Sequence, residues 1–140
     1  MTTLLRNVSG RLHIELSEPT ERIAPALGNQ RATPTAKLES LRLEAYVFDN
    51  DDFRDLTEAE LSATVLEASH ITLRGLGAAV GHAAPNGATF SLRELLQAIE
   101  ATERETRGQS DWFDGIDVHH VFFEGLHLAD DGAWQISWGS

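Results

Sequence analysis

The sequence predicts an α+β domain: one antiparallel sheet with one or two helices packed on a face. Three observations predict it. Apolar and polar residues alternate in short stretches along the chain, at the period of a half-buried strand. One long segment, Leu92 to Arg107, keeps the spacing of an amphipathic helix instead. Near the C-terminus an Asp-Gly pair, Asp131-Gly132, separates two apolar runs, which marks a hairpin. At 140 residues, 1–140 reads as a single domain with one core.

The first strand is carried by Leu12, Ile14 and Leu16, alternating with Arg11, His13 and Glu15. Residues 17–37 follow, with Pro19, Pro25 and Pro34 and little periodicity. A structureless connection of that length is long for a compact domain, so it reads as a long loop, a lid over a site or an arm along the surface. In the second strand Leu41, Leu43, Ala45 and Val47 alternate with Arg42, Glu44, Tyr46 and Phe48, which gives one mixed face. Asp49-Asn50-Asp51-Asp52 ends it.

Two helix starts carry capping boxes with hydrophobic staples. Thr57 pairs with Glu60 between Leu56 and Leu61, and Ser91 pairs with Glu94 between Phe90 and Leu95. The first box predicts a helix over Glu58 to Thr64. Residues 65–70 fit either a continued helix or a strand, and a strand is expected over Ser69 to Arg74. The second box opens the long helix. Leu92, Leu95, Leu96 and Ile99 form its stripe, Glu100–Arg104 and Glu103–Arg107 are i,i+4 pairs, and Gly108 stops it.

The closing hairpin predicts two faces. A loop of two or four residues places His119, Val121, Phe123, Gly125 and His127 with Trp134, Ile136 and Trp138. His120, Phe122, Glu124, Leu126 and Leu128 then share the other face with Gln135 and Ser137. A three-residue loop would break this register. The tryptophan face is the expected core, with Trp134 and Trp138 largely buried. The second face mixes apolar and polar groups, as pocket walls and half-exposed sheet faces both do.

Composition excludes several function classes. The net charge of −11 argues against nucleic acid and anionic membranes, and it suits a basic partner or a cationic ligand. Ten of the eleven basic residues are Arg, a bias that suits carboxylate or phosphate recognition but that codon usage explains better. There is no Cys, which removes disulfides, thiolate catalysis and Cys-ligated zinc. No apolar run is long enough to span a bilayer, and the first sixteen residues lack the build of a secretion signal, so a cytoplasmic location is expected.

Candidate chemistry is sparse. Arg74 to Gly81 holds Gly75, Gly77 and Gly81, but Pro85 and Asn86-Gly87 intervene before any helix, so bends or a hairpin are expected there rather than a phosphate loop. His120 and Glu124 stand two steps apart on one face, too far to share a metal unless Gly125 supplies a bulge, and no metal is expected. The clusters Asp111, Asp114, Asp117 and Asp49, Asp51, Asp52, Asp55 lack the calcium-loop spacing and read as turns and caps. No serine sits in a nucleophile elbow, and Lys37 is the sole lysine. The best acid–base pair is His120 as proton shuttle, oriented by Glu124 or Asp117. No cofactor is implied.

Ala32-Thr33-Pro34, the run Gly87 to Ile99, and Phe123-Glu124-Gly125-Leu126 with Gly132-Ala133-Trp134 together resemble a family of small uncharacterised fungal domains. These have a Pro-rich entry, a Gly-x-Thr helix start and a closing Phe-x-Gly-Leu hairpin. The chain lacks the Pro-Trp pair such domains carry before the helix. The resemblance implies one compact α+β domain and assigns no activity.

The sequence therefore reads first as a small acidic binding domain for a protein partner or for itself, with Phe122, Leu126, Leu128 and Gln135 as the contact face. The alternative is a cofactor-free acid–base enzyme for a small, mostly apolar ligand, with His120, Glu124 and Asp117 as catalytic groups. Whether His120 and Glu124 line a closed cavity separates the two.

Overall fold

In chain order the elements are α1 (Thr3–Arg6), β1 (Val8–Leu16), β2 (Leu38–Asp49), β3 (Asp52–Asp55), α2 (Glu58–Ser62), β4 (Thr64–Leu66), β5 (His70–Arg74), β6 (Val80–Ala83), β7 (Phe90–Ser91), α3 (Leu92–Thr106), β8 (Phe122–Leu128) and β9 (Trp134–Gly139). They come from a computed structural model that describes residues 3–16, 38–107 and 116–140. The segment 17–37, read above as a loop or lid, lies outside the described residues, as do Trp112, Asp111 and Asp114.

Seven strands form one sheet in the order β3-β2-β1-β8-β9-β5-β6, and β4 pairs with β7 beside it. The α+β class holds, but the sheet is larger than expected and mixed. β5 and β9 run parallel, with Leu73 opposite Trp134. Between them the chain returns through α3 and β8, the long crossover a parallel pair requires.

β3 is one of the strands not foreseen. It pairs with β2 through a two-residue turn whose residues, Asn50 (φ 54°) and Asp51 (φ 64°), are both left-handed. That is the backbone of a type I′ hairpin turn, and Asn and Asp tolerate it better than other non-glycine residues.

Both capping boxes form. α2 ends at Ser62, short of the expected Thr64, because Thr64–Leu66 is strand; the ambiguous 65–70 stretch splits between the end of β4, a connection over 67–69 and the start of β5. α3 lays Leu92, Leu95, Ala98 and Ile99 on the core side, against Leu12, Leu41, Ile71, Leu73, Phe123 and Ile136 of the sheet. Its polar side also works. β3 pairs only with Tyr46 to Asp49, and among the described residues no strand pairs with that edge of β2 farther along. There Glu100 accepts the Leu43 N–H at 2.9 Å and Arg104 donates to the Leu41 carbonyl at 2.8 Å. The Glu100–Arg104 pair thus satisfies an open strand edge.

The Glu103–Arg107 pair departs from the expected surface pair, since both side chains are fully buried. The glycines explain it. The β5–β6 connection packs against the last turns of α3 so closely that a Cβ on Gly75 would fall on the Glu103 carboxylate. One on Gly77 would meet the Thr106 carbonyl at 2.7 Å. The glycine-rich run is a hairpin, as read, and its glycines let the backbone approach the helix.

The β8–β9 hairpin corrects the predicted faces. Ala129 N–H bonds the Ala133 carbonyl at 2.8 Å, and Gly132 is left-handed at φ 90°. The loop is therefore the three residues Asp130–Gly132, which shifts the register by one. Leu128 stands opposite Trp134 and Leu126 opposite Ile136, so both leucines lie on the core-facing side. Gln135 pairs with His127 on the other face. A bulge between Phe123 and Gly125 then cancels the shift, and Phe123 meets Trp138 as predicted. Trp138 is buried, edge-to-face with Phe123, whereas Trp134 is half-buried rather than largely buried.

Candidate functional site

The acid–base candidates are split by the fold. Asp117 and His120 sit on the turn that leads into β8. The Asp117 side chain is buried, and its Oδ1 accepts the N–H groups of His119 (2.7 Å) and His120 (2.9 Å). Its Oδ2 meets His120 Nδ1 at 2.7 Å. Burial disfavours the charge, but the two amides and the imidazole outweigh it, and the carboxyl stays below its usual range. The His120 ring is about one-third exposed. An imidazole held by a carboxylate can carry a proton.

Glu124 does not join them. It sits at the β8 bulge, exposed, with its carboxylate against Gly139. It lines two open clefts, of ≈ 430 and ≈ 340 Å³, and His120 lines neither.

The predicted contact face is also divided. Leu126 and Leu128 lie on the core-facing side, and Leu126 packs on the core. Gln135 is occupied: it accepts from Arg74 Nε at 3.0 Å and donates to the Gly75 carbonyl at 3.1 Å. Arg74 also meets Asp131 and holds its carboxyl below the usual range. These contacts tie β9 and its loop to β5.

Phe122 is different. Its register with Arg11 places it opposite the core, on a face of β3, β2, β1 and β8 that carries no helix among the described residues. Ser9 pairs with Tyr46, Tyr46 with Asp55, and Phe48 with Phe53, so these side chains share that open face. Phe53 contacts both Tyr46 (5.4 Å between centroids) and Phe48 (5.1 Å) edge-on. Phe53 is 53% exposed, Phe48 45% and Phe122 39%. The larger of the Glu124 clefts lies here, bounded by Ser9, Tyr46, Phe53, Phe122 and Glu124. The Arg11 guanidinium lies 5.5 Å from the Phe122 ring centroid.

Farther along the strands the open face turns polar. His13 and Glu44 meet at 3.1 Å, and Arg11, His13, Glu15 and Arg42 border a second cleft of ≈ 650 Å³. Sequence reading missed Tyr46, Phe48 and Phe53 as a group. The available signal was Tyr46 and Phe48 standing on the polar side of an alternating strand, with a third ring five residues on.

Among the described residues no three or more His, Asp or Glu side chains converge as metal ligands. His82 is tied to Thr102 Oγ1 at 2.7 Å, and burial lowers its pKa. Comparison with protein-family models, with curated proteins and with solved structures finds no match for this chain, so its geometry alone carries the functional reading.

Proposed function

We propose that the protein is a binding module that engages a protein partner through the aromatic end of its open sheet face. The observation that supports this most is Phe48, Phe53 and Phe122, each more than one-third exposed, gathered with Tyr46 on one face of a domain that has a well-filled core elsewhere. Contiguous exposed rings of this kind mark interaction surfaces, where aromatic residues act as anchors within a polar rim. The neighbouring edge strand is short and carries Asp52, Arg54 and Asp55, which discourages strand addition and leaves the face as the contact. A second copy is the weaker occupant, since each chain carries −11. The acid–base alternative has less support: Glu124 is parted from His120, and the clefts Glu124 lines do not reach the imidazole.

A photo-crosslinking residue at Phe53, with one at Leu128 as control, tests the proposal in cells. The two positions are similarly exposed, at 53% and 59%, on different faces. The expected result is a discrete adduct from position 53 that Phe122→Asp abolishes, with none from position 128. Equal adducts from both positions would refute a dedicated face.

A further inference from the structure

We infer that the aromatic cleft recognises a cationic side chain, Arg or Lys, presented by a basic extended peptide. This rests on the open-face reading above and names what the face binds.

The cleft is built for a cation. Its lining includes Tyr46, Phe53 and Phe122, whose rings carry negative quadrupolar charge on their faces. Its remaining side holds the Glu124 carboxylate, which is exposed and makes no ion pair or hydrogen bond among the described residues. Asp55, opposite Tyr46 on β3 just outside the cleft lining, is also exposed, and among the described residues only its main-chain oxygen is bonded, by Arg54. Arg54, Arg74, Arg93, Arg104 and Arg107 have acidic partners, whereas Arg11, on the Phe122 ring, has none among the described residues. The Glu124 and Asp55 carboxylates are available to an incoming charge, and they offset the Arg11 guanidinium that already lies on the Phe122 ring.

The molecule supplies its own precedent. Arg11 already lies against the Phe122 ring, and Arg107 lies 5.3 Å from the Trp138 ring centroid. A net charge of −11 attracts a basic segment and repels a second copy or an anionic ligand. The cleft, at ≈ 430 Å³, admits side chains of an extended segment rather than a folded element.

The test is fluorescence anisotropy with the full chain and three labelled peptides. One alternates Arg with Gly. The second replaces Arg by citrulline, which keeps the shape and removes the charge. The third replaces it by Leu. The Arg peptide should bind, and the citrulline peptide should bind about tenfold more weakly. Phe53→Ala, which leaves the net charge unchanged, should weaken the Arg peptide by about fivefold to tenfold, and Glu124→Gln by a similar factor. Phe122→Leu keeps apolar area but removes the ring face, so it should weaken the Arg peptide and spare the Leu peptide. Far-ultraviolet circular dichroism and the urea midpoint confirm that each variant is folded.

If the Leu peptide binds as tightly as the Arg peptide and Phe53→Ala abolishes both, the face docks a partner but the cationic inference is wrong. If Arg-peptide binding ignores Phe53→Ala and Glu124→Gln, the attraction is diffuse and this inference fails, while the open-face reading stands or falls with the crosslink at position 53.

Discussion

Replacing Arg107 by methionine probes the least expected feature of the core. The Arg107 and Glu103 side chains have no exposed surface. Arg107 Nε donates to Glu103 Oε1 at 2.9 Å, and Nη1 donates to the Asp117 main-chain oxygen at 2.9 Å. Burial pushes the Glu103 carboxyl above the usual range, while Arg107 and, more weakly, the Trp138 indole pull it down. That indole N–H and Glu103 Oε2 lack a well-aligned hydrogen bond, so Arg107 is the main compensation. Methionine keeps the apolar stem and leaves the carboxylate without a countercharge. Removing one partner of a buried ion pair costs about 3–5 kcal/mol, against a total stability of about 5–15 kcal/mol. The loss must depend on pH. The folded state of the variant holds the Glu103 proton to higher pH than the unfolded chain, which releases it near the ordinary value of 4.5. Between those two values the folded state binds more protons, so stability falls as pH rises. Urea unfolding followed by tryptophan fluorescence should therefore show a deficit that is smallest near about pH 5 and grows toward about pH 8. Adding Glu103→Gln should flatten that dependence, and Glu103→Leu with Arg107→Met should regain most of the loss. A deficit below about 1 kcal/mol, or one that does not change with pH, would refute the buried uncompensated carboxylate.

Three further outcomes follow from the packing. Trp138→Ala should cost about 3–5 kcal/mol in urea unfolding, because Trp138 is buried on a strand with neighbours on both sides; a cost under about 1 kcal/mol would place β9 at the periphery. His82 is held below its ordinary pKa of 6.5 by burial, so the unfolded chain protonates first and stability falls as pH drops through that value. His82→Gln should make the decline between about pH 7.5 and 5.5 shallower, and an unchanged slope would contradict it. His120→Ala removes the ring from Asp117 and leaves both amide bonds, so it should cost about 1 kcal/mol and leave Arg-peptide binding intact; lost binding in a folded variant would move the site to the Asp117–His120 pair.

The elements legible in the sequence are those whose signals are local. Both helix starts were readable because a capping box is satisfied within four residues, and Thr57 and Ser91 each make it. β1, β2 and β5 were readable because one face of each is buried and a period of two follows. β3 was hidden because its turn is Asn50-Asp51, without the glycine that usually signals a left-handed pair, and its four residues are too few to show a period. The parallel β5–β9 pairing joins residues about sixty apart, which no local pattern reports. Glu103–Arg107 misled for a similar reason. Its spacing matches that of Glu100–Arg104, but Gly75 packs on Glu103 while Trp138 and Asp117 meet Arg107, so this pair is buried and the other lies at a strand edge.

The candidate site turned on a count that the sequence left open. Asp131-Gly132 announced a hairpin, but whether its loop held two, three or four residues decided where every side chain beyond it pointed. Three residues, with Gly132 left-handed, put Leu126 and Leu128 on the core-facing side of the sheet, where Leu126 packs on the core and Leu128 stays exposed. The bulge before Gly125 then returned Phe122 to the face first expected, beside Tyr46 and Phe53 rather than beside the leucines. Gly125 has φ 127°, a conformation that a side-chain-bearing residue adopts only under strain. The glycine considered for bringing His120 and Glu124 together instead turns Phe122 and Glu124 into the wall of an aromatic cleft, leaving His120 to Asp117.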